Sequence, residues 1–343
     1  MEKELAKASK ALSTSSSSST VDDEQCSKLR LAVLEKYCDI ALSDPPFSDI
    51  KDIPQKMWRT CFYARITELR TAATKAKKVL AKAKSSKASN SGSRAEAEER
   101  VKEATIAYNQ FLTQAIAFYD YVVDCMEKSN VFCSSSSPSS SSSLSPTPTP
   151  LSPASKVAHF PHVVNSLHRF YISLGDLHRY NAQEQPGANG KPNFGPSQKN
   201  YEKAILLIPS GGNPYNQLAV LEQTKEHEAV AVYLYCRSLM VAEPFETGRS
   251  NLDRVLANVK KKIDASNGDS SSVQGMDLRA KFLQMIINLQ GLLYFAKVGP
   301  LEFEHEMDRT LEVTSRMLRE TSLADITMTK MVSGEWSLRK ANA

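Results

Sequence analysis

The sequence predicts an all-α protein in which the helices form an array of hairpins. Apolar residues recur at three- and four-residue spacing through most of the 343 residues, and no segment alternates apolar and polar residues as a half-buried strand does. Two stretches near the middle of the chain also repeat each other, which is typical of stacked helical hairpins. Hydrophobic residues make up 41% of the chain, which is enough for a buried core.

The N-terminal part is predicted to begin disordered and to continue as amphipathic helices. Residues 1–20 contain the run STSSSSST and lack the apolar core of a signal peptide, so we expect a disordered stretch that is not a targeting signal. Residues 21–128 contain LRLAVLEKYCDIAL, PQKMWRTCFYARITELR and FLTQAIAFYDYVV, each with an apolar face at helical spacing. Pro54 suits the first turn of the second of these helices.

Residues 129–155 are predicted to be a disordered insertion. Their sequence contains SSSSPSSSSSLSPTPTPLSP, which offers almost no apolar side chains, and its prolines cannot donate backbone hydrogen bonds. The Ser-Pro and Thr-Pro steps could be phosphorylated. The alternative is a plain solvated linker.

Composition and motifs argue against several classes of protein. The net charge of +5 is far below that of a dedicated nucleic-acid binder. The six cysteines show no CxxC or Cys/His zinc spacing, which suggests free thiols in a reducing compartment. P-loop, GxSxG and HExxH motifs are absent, and no apolar run reaches the length of a membrane span. We therefore expect no enzyme activity, no metal or other cofactor, and no membrane insertion.

The repeated stretches are LGDLHRY…YEKAILLIP and NQLAVLEQ…AVYLYCRSLMVAEP. Each places a small residue after a leucine, Gly175 in the first and Ala219 in the second, and each continues with a tyrosine-containing helix and a proline. This pattern resembles tetratricopeptide repeats, in which the small residue lets paired helices approach closely. We expect such hairpins over residues 156–245 and further helical hairpins over residues 246–343. Arrays of this kind bind other polypeptides.

The first repeat also carries an acid, an arginine and a tyrosine within little more than one helical turn. Asp176 precedes Arg179 by three residues and Tyr180 by four, which is contact range on a helix. A carboxylate at that spacing can orient the guanidinium, and an oriented arginine beside a tyrosine hydroxyl can bind a phosphate or another oxyanion. The alternative is an ordinary surface ion pair worth less than about 1 kcal/mol.

The stretches YISLGDLHRYNAQ, YEKAILLIPSGGNPYNQLAVLEQ and AVAVYLYCRSLMVAEPFETGRSNL resemble the signature of the SMG proteins of nonsense-mediated mRNA decay, which are related to the Ever Shorter Telomeres protein. The GDLHRY step is also similar to the Gly-Asp…Arg-Tyr step of 14-3-3 proteins. The resemblance is strongest over residues 156–255. It implies a 14-3-3-like domain made of residues 21–128 and a tetratricopeptide-like part, residues 156–245. The start of a C-terminal helical domain, residues 246–343, would follow.

The resemblance implies a non-catalytic adaptor in nonsense-mediated mRNA decay. Proteins of this family bind the phosphorylated up-frameshift RNA helicase, or a second SMG protein as heterodimer partner, and link it to a phosphatase or to decay enzymes. A cytoplasmic location with shuttling to the nucleus is expected on the same ground. The alternative is a helical scaffold associated with telomerase or RNA. Its only support in the sequence is the lysine-rich stretch KAKKVLAKAKSSK.

The resemblance also implies where a phosphate would bind. The family builds its phosphate site from a lysine on the second helical region and from the arginine of the Arg-Tyr step, which matches Arg179. The lysine position falls at Tyr63, so the chain departs from the pattern and leans towards the branch that serves as a heterodimer partner. Arg59 and Arg70 lie on the same helix and could supply the missing charge. Asn216 matches a position that could hydrogen-bond the backbone of a bound peptide; the alternative is a residue that only starts a helix.

Overall fold

The computed structural model describes residues 23–85, 91–131, 153–187, 190–267, 278–295 and 299–320. In these residues all regular secondary structure is helical, apart from an isolated bridge between Gly211 and Glu243. The predicted all-α class is therefore confirmed.

The chain divides into two compact units, residues 1–208 and residues 209–343. This division falls inside the range 156–245, which the sequence assigns to a single tetratricopeptide-like part. The predicted boundary after residue 245 stays a prediction. The predicted disordered residues 1–20 lie outside the described residues.

Unit 1 consists of helices connected by short turns and two longer segments. They are α1 (Asp23–Ser43), α2 (Pro45–Ile50), α3 (Ile53–Met57), a π-helical turn (Trp58–Tyr63), α4 (Ala64–Ser85), α5 (Ser91–Val131), α6 (Pro153–Glu184) and α7 (Gly195–Leu207). The π-helical turn joins α3 to α4 without a break. Helices α5 and α6 each reach a few residues into the predicted insertion 129–155, whose remaining residues, 132–152, lie outside the described part.

The core of unit 1 is an aromatic cluster between the π-helical turn, α5 and α6. The ring centroid of Tyr119 on α5 lies 4.9 Å from that of Phe62, 6.1 Å from that of Trp58 and 5.8 Å from that of Phe170. All four side chains are buried. Edge-to-face contacts of this kind stabilise a core beyond the burial of apolar area. The cluster therefore holds α5 and α6 in place against the π-helical turn.

Side chains of α6 hold α2 and the turn between α2 and α3 by polar contacts. Asn165 Nδ2 donates to Asp49 Oδ2 at 2.8 Å, and His162 Nδ1 lies at the same distance from that oxygen. Arg169 forms an ion pair with Asp52, whose φ of 52° is a left-handed conformation that short polar residues tolerate. These contacts make the turn between α2 and α3 part of the packed body of unit 1.

Unit 2 is a succession of helices packed in sequence order. They are α8 (Gly212–Thr224), α9 (Glu228–Leu239), α10 (Thr247–Asn267), α11 (Leu278–Phe295) and α12 (Pro300–Glu320). Helices α8 and α9 form a hairpin, α10 packs on α9, and α11 and α12 continue the series. Tyr235, Leu252 and Ile287 are among the buried residues of their shared core.

The α8–α9 hairpin is closed by backbone contacts at Gly212. The Gly212 N–H donates to the Glu243 carbonyl at 2.9 Å, and the Phe245 N–H donates to the Ser238 carbonyl at 3.0 Å. A Cβ at position 212 would lie 2.2 Å from the Ser238 carbonyl oxygen. Only glycine lets these two backbone segments come so close.

Candidate functional site

At Gly175 the ring of Tyr201 on α7 packs directly against the backbone of α6. A Cβ at position 175 would lie 2.4 Å from Tyr201 Cε1. The Ser197 hydroxyl donates to the Gly175 carbonyl at 2.5 Å, and Tyr201 is fully buried. The predicted role of Gly175 in the close approach of two helices is confirmed.

Next to Gly175, Asp176 and Arg179 form a largely buried ion pair. Arg179 Nη2 donates to Asp176 Oδ1 at 2.7 Å, and Arg179 Nε donates to the Tyr201 hydroxyl at 3.3 Å. The Tyr201 hydroxyl in turn donates to Asp176 Oδ1 at 2.7 Å. The Arg179 and Asp176 side chains are only 14% and 12% exposed. The carboxylate therefore orients the guanidinium as predicted, but the pair packs against α7 and is not an ordinary surface pair.

The protonation states of this network follow from burial and charge. Burial by itself would lower the pKa of Arg179, but the adjacent Asp176 carboxylate raises that pKa above its usual range. Burial raises the pKa of Tyr201 well above its ordinary value, and Asp176 acts in the same direction. Arg179 thus stays charged and the Tyr201 hydroxyl stays a proton donor.

The ring of Tyr180 is in contact with two arginines. Arg179 Cζ lies 4.6 Å from the ring centroid, and Cζ of Arg70, on α4, lies 5.5 Å from it. Tyr180 is buried, whereas Arg70 is exposed and has no carboxylate partner in the described part of the chain. The positive charge of Arg70 is therefore available to a ligand, while that of Arg179 is shared with Asp176.

Tyr63 is the last residue of the π-helical turn and points to the same side as Arg70, but it lies further back along the helical axis. Seven residues separate the two, which is two helical turns or about 10 Å. Tyr63 is half exposed, and its ring centroid lies 6.2 Å from that of Trp58. Arg59 is exposed and is the second residue of the π-helical turn. A π-helical turn contains one more residue than an α-helical turn, so the direction of the Arg59 side chain differs by roughly 100° from the one it would have relative to Arg70 in a regular α-helix. The structure thus brings Arg70, and not Arg59, to the Arg-Tyr pair.

Asn216 belongs to unit 2 and is buried on α8. Its Oδ1 accepts a hydrogen bond from Asn251 Nδ2 at 3.0 Å, which ties α8 to α10. Gly248 lies beside this contact, since a Cβ there would be 3.5 Å from Asn216 Oδ1. This side chain has a packing partner, and a role in peptide binding stays a prediction.

Two tyrosines complete the site. Tyr201 occupies the same position in the first repeat as Tyr235 in the second, so the repeat is the signal that could identify it. Tyr108 on α5 is buried, and burial raises its pKa to about 12 although Arg70 acts to lower it. Nothing in the sequence pattern singles out Tyr108, because its closeness to Arg70 depends on how α5 packs on α4.

Two histidines of α6, His162 and His168, have packing partners. His162 contacts Asp49, and His168 Nδ1 lies 2.9 Å from the Ala204 carbonyl oxygen. Burial lowers the pKa of His178. Within the described ranges, no group of three or more His, Cys, Asp or Glu side chains could hold a metal ion. None of the helices searched in those ranges is long and apolar enough to cross a membrane.

Two family models match the chain one after the other. The model for the telomerase activating protein Est1 matches residues 52–185, and the model for the Est1 DNA/RNA binding domain matches residues 197–333. The chain belongs to the Est1/SMG family. The second match continues well past residue 255, where the strongest resemblance visible in the sequence ends.

Several relatives carry decay or telomerase names. The nonsense-mediated mRNA decay factor SMG7 of Arabidopsis thaliana is 31% identical over 219 residues, which are 64% of this chain and 20% of that protein. The telomerase-binding protein EST1A of Danio rerio is 27% identical over 241 residues, which are 70% of this chain and 14% of that protein. The chain therefore spans about a fifth or less of the length of these relatives.

A solved structure shares the fold. It is described as the crystal structure of Est1 and Cdc13, and the similarity covers 97% of this chain and 62% of the matched chain with a TM-score of 0.58. The sequences are only 12% identical, so this likeness establishes the helical architecture of Est1 for the chain and nothing about its ligands.

Proposed function

We propose that the protein is a non-catalytic adaptor in nonsense-mediated mRNA decay. It binds the phosphorylated up-frameshift RNA helicase, a second SMG protein, or both, and links them to dephosphorylation or decay factors. Support comes from the family, whose members include the decay factors SMG7 and SMG5. The cytoplasmic location with shuttling to the nucleus stays a prediction.

The observation that carries the proposal is the pair of arginines at Tyr180. A phosphoserine brings a charge of about −1.5 to −2, which one cation cannot balance. In this chain Tyr63 occupies the position of the family lysine. Arg70 can supply the missing charge, because its guanidinium contacts the Tyr180 ring that the Arg179 guanidinium also contacts. Asp176 already offsets part of the Arg179 charge. We therefore expect a phosphopeptide to bind, but more weakly than at a site with two unshared cations.

Fluorescence anisotropy with matched phosphoserine and plain serine peptides from the helicase tests this site. Arg70→Ala should weaken binding of the phosphorylated peptide by roughly tenfold, since it removes one charge-assisted contact. Tyr63→Lys should strengthen it by a similar factor. Arg100→Ala removes an exposed arginine elsewhere, on α5, and should change nothing.

A substitution at Arg179 is not suitable for this test, because it would change the stability of the protein together with its affinity. Arg179→Glu would place two carboxylates together in a buried site, and the protein would lose stability as well as affinity. Equal binding of the phosphorylated and plain peptides by both wild type and Tyr63→Lys would contradict a phosphate site. Heterodimer formation would then be the remaining function to test. Light scattering on a mixture with a second SMG protein measures it, and a persistent monomer would rule it out.

A scaffold associated with telomerase or RNA is the second candidate. It is favoured by the description of the model that matches residues 197–333 as a DNA/RNA binding domain, and by the telomerase-binding name of the EST1A relative. RNA binding through phosphate contacts would fall steeply with rising salt. Dephosphorylation of a protein partner would leave such binding unchanged.

A further inference from the structure

A groove of about 490 Å³ lies between α1 and the first half of α4. Its lining includes Ala64, Thr71 and Ala72 from α4, together with Arg30 from α1. On the helical wheel of α4 this face lies roughly 140° from Arg70, so it is separate from the Arg70–Tyr180 site.

The groove continues into a row of three exposed lysines on the same face of α4. Lys75, Lys78 and Lys82 follow Thr71 at spacings of four, three and four residues, which keeps them on one stripe. None of the three has a carboxylate partner in the described part of the chain. Neighbouring lysines off the stripe are paired, Lys77 with Glu184 and Lys84 with Glu98. We call the groove and these three lysines the α4 basic face.

Helix stability does not explain this stripe. Like charges three or four residues apart destabilise a helix, and Lys75–Lys78 and Lys78–Lys82 are two such pairs. Glutamates at alternate positions of the stripe would make the helix more stable. An anionic partner would turn this repulsion into an attraction.

We propose that the α4 basic face docks an acidic polypeptide segment, with an apolar side chain of that segment in the groove and its carboxylates on the lysines. The groove suits an apolar side chain, because Ala64 and Ala72 present methyl groups to it. The Thr67 hydroxyl donates to the main-chain carbonyl of Tyr63, and the Thr71 hydroxyl donates to that of Thr67. The threonine methyl groups are then the remaining contact surface.

The same lining argues against a nucleic acid. None of the described residues that line the groove is aromatic, so bases would have no ring there on which to stack. Glu68 is also part of the lining, but it forms an ion pair with Arg65, whose Nη1 lies 2.8 Å from Glu68 Oε1. Its charge is therefore offset, and the case against a nucleic acid rests on the missing stacking surface.

Anisotropy titration of the full chain tests the proposal with a fluorescein-labelled peptide of repeated Leu-Glu-Glu-Asp units. A second labelled peptide has Gln and Asn in place of the acids, and a third probe is labelled single-stranded oligouridine. We expect saturable binding of the acidic peptide and none of the neutral one. The combined change K75Q, K78Q and K82Q should weaken binding roughly tenfold, because each exposed ion pair contributes only modestly.

Two further variants separate the groove from general charge. Ala72→Trp fills the groove at an exposed position. It should weaken binding of the acidic peptide without changing the melting temperature of the protein. The combined change K199Q, K260Q and K261Q removes the same charge from other exposed sites and should have no effect. Arg70→Ala should also have no effect, so this proposal and the phosphate site fail or succeed separately.

Three results would overturn the proposal. The first is the absence of saturable binding of the acidic peptide. The second is an equal loss of affinity in the two triple variants, which would mean non-specific attraction. The third is tighter binding of oligouridine than of the peptide, lost with the Lys75, Lys78 and Lys82 changes, which would make this face a nucleic-acid surface.

Discussion

The two repeated hairpins each contain a buried tyrosine at the equivalent position, but the hydroxyl groups of the two tyrosines have different hydrogen-bond partners. In the α6–α7 hairpin, the Tyr201 hydroxyl donates to the Asp176 carboxylate and accepts from Arg179. In the α8–α9 hairpin, the Tyr235 hydroxyl donates to the Gln223 side chain at 3.0 Å. Both rings are fully buried. One hairpin therefore encloses an ion pair, and the other encloses a neutral hydrogen bond.

Alignment of the repeats shows that the difference lies at two positions. Arg179 in the first repeat corresponds to Gln223 in the second, and Asp176 corresponds to Val220. Since α8 and α9 pack without charged residues at these positions, packing of such a hairpin does not require an ion pair. The Asp176–Arg179 pair is thus an addition to the common hairpin, which fits a separate role in binding an anion.

The largest effect in this comparison is expected from Gly175→Leu. Even a Cβ would overlap the buried Tyr201 ring, so the substitution should lower the free energy of unfolding by about 3 kcal/mol or more. Urea unfolding followed by circular dichroism measures the loss, and hydrogen exchange at α7 locates it. Gly92→Leu is the matched control, because no atom lies within 4 Å of a Cβ there. Unchanged stability of Gly175→Leu would show that α6 and α7 do not pack as described.

A somewhat smaller effect is expected from Asp176→Asn. The amide keeps the shape of the side chain but leaves Arg179 as a mostly buried charge without its partner, so we expect a loss of about 3 kcal/mol. Asp124→Asn breaks the exposed pair with Lys128 and should cost far less. Equal losses in the two variants would mean that the Asp176–Arg179 pair behaves like a surface pair.

The smallest effects are expected from the paired changes Tyr201→Phe and Tyr235→Phe. Both remove one buried hydroxyl and leave the ring in place. Tyr201→Phe loses hydrogen bonds to charged groups and should cost about 2 kcal/mol, whereas Tyr235→Phe loses a neutral one and should cost about 1 kcal/mol. Urea unfolding of both variants provides the comparison. A larger loss of stability for Tyr235→Phe than for Tyr201→Phe would mean that the Tyr201 hydroxyl gains nothing from its charged partners.

Contacts within one helix could be predicted from the sequence because helical periodicity alone sets them. The spacing of Asp176 and Arg179 predicts their pairing, and the structure confirms it. The small residue of the repeat likewise predicts that Gly175 lies where two helices meet. Its partner in that contact, Tyr201, lies 26 residues away, and only the alignment of the repeats points to it.

The sequence by itself determined the helical class, the repeated hairpins and the orientation of Arg179 by Asp176, since these depend on periodicity and on neighbours one turn apart. Only the tertiary structure decided that Arg70, and not Arg59, accompanies Arg179 at Tyr180. The physical reason is twofold. The π-helical turn changes which side chains share a face, which the residue types do not reveal. The contact between Arg70 and Tyr180 also joins α4 to α6, and the relative placement of two helices depends on the side chains packed between them, such as those around Tyr119.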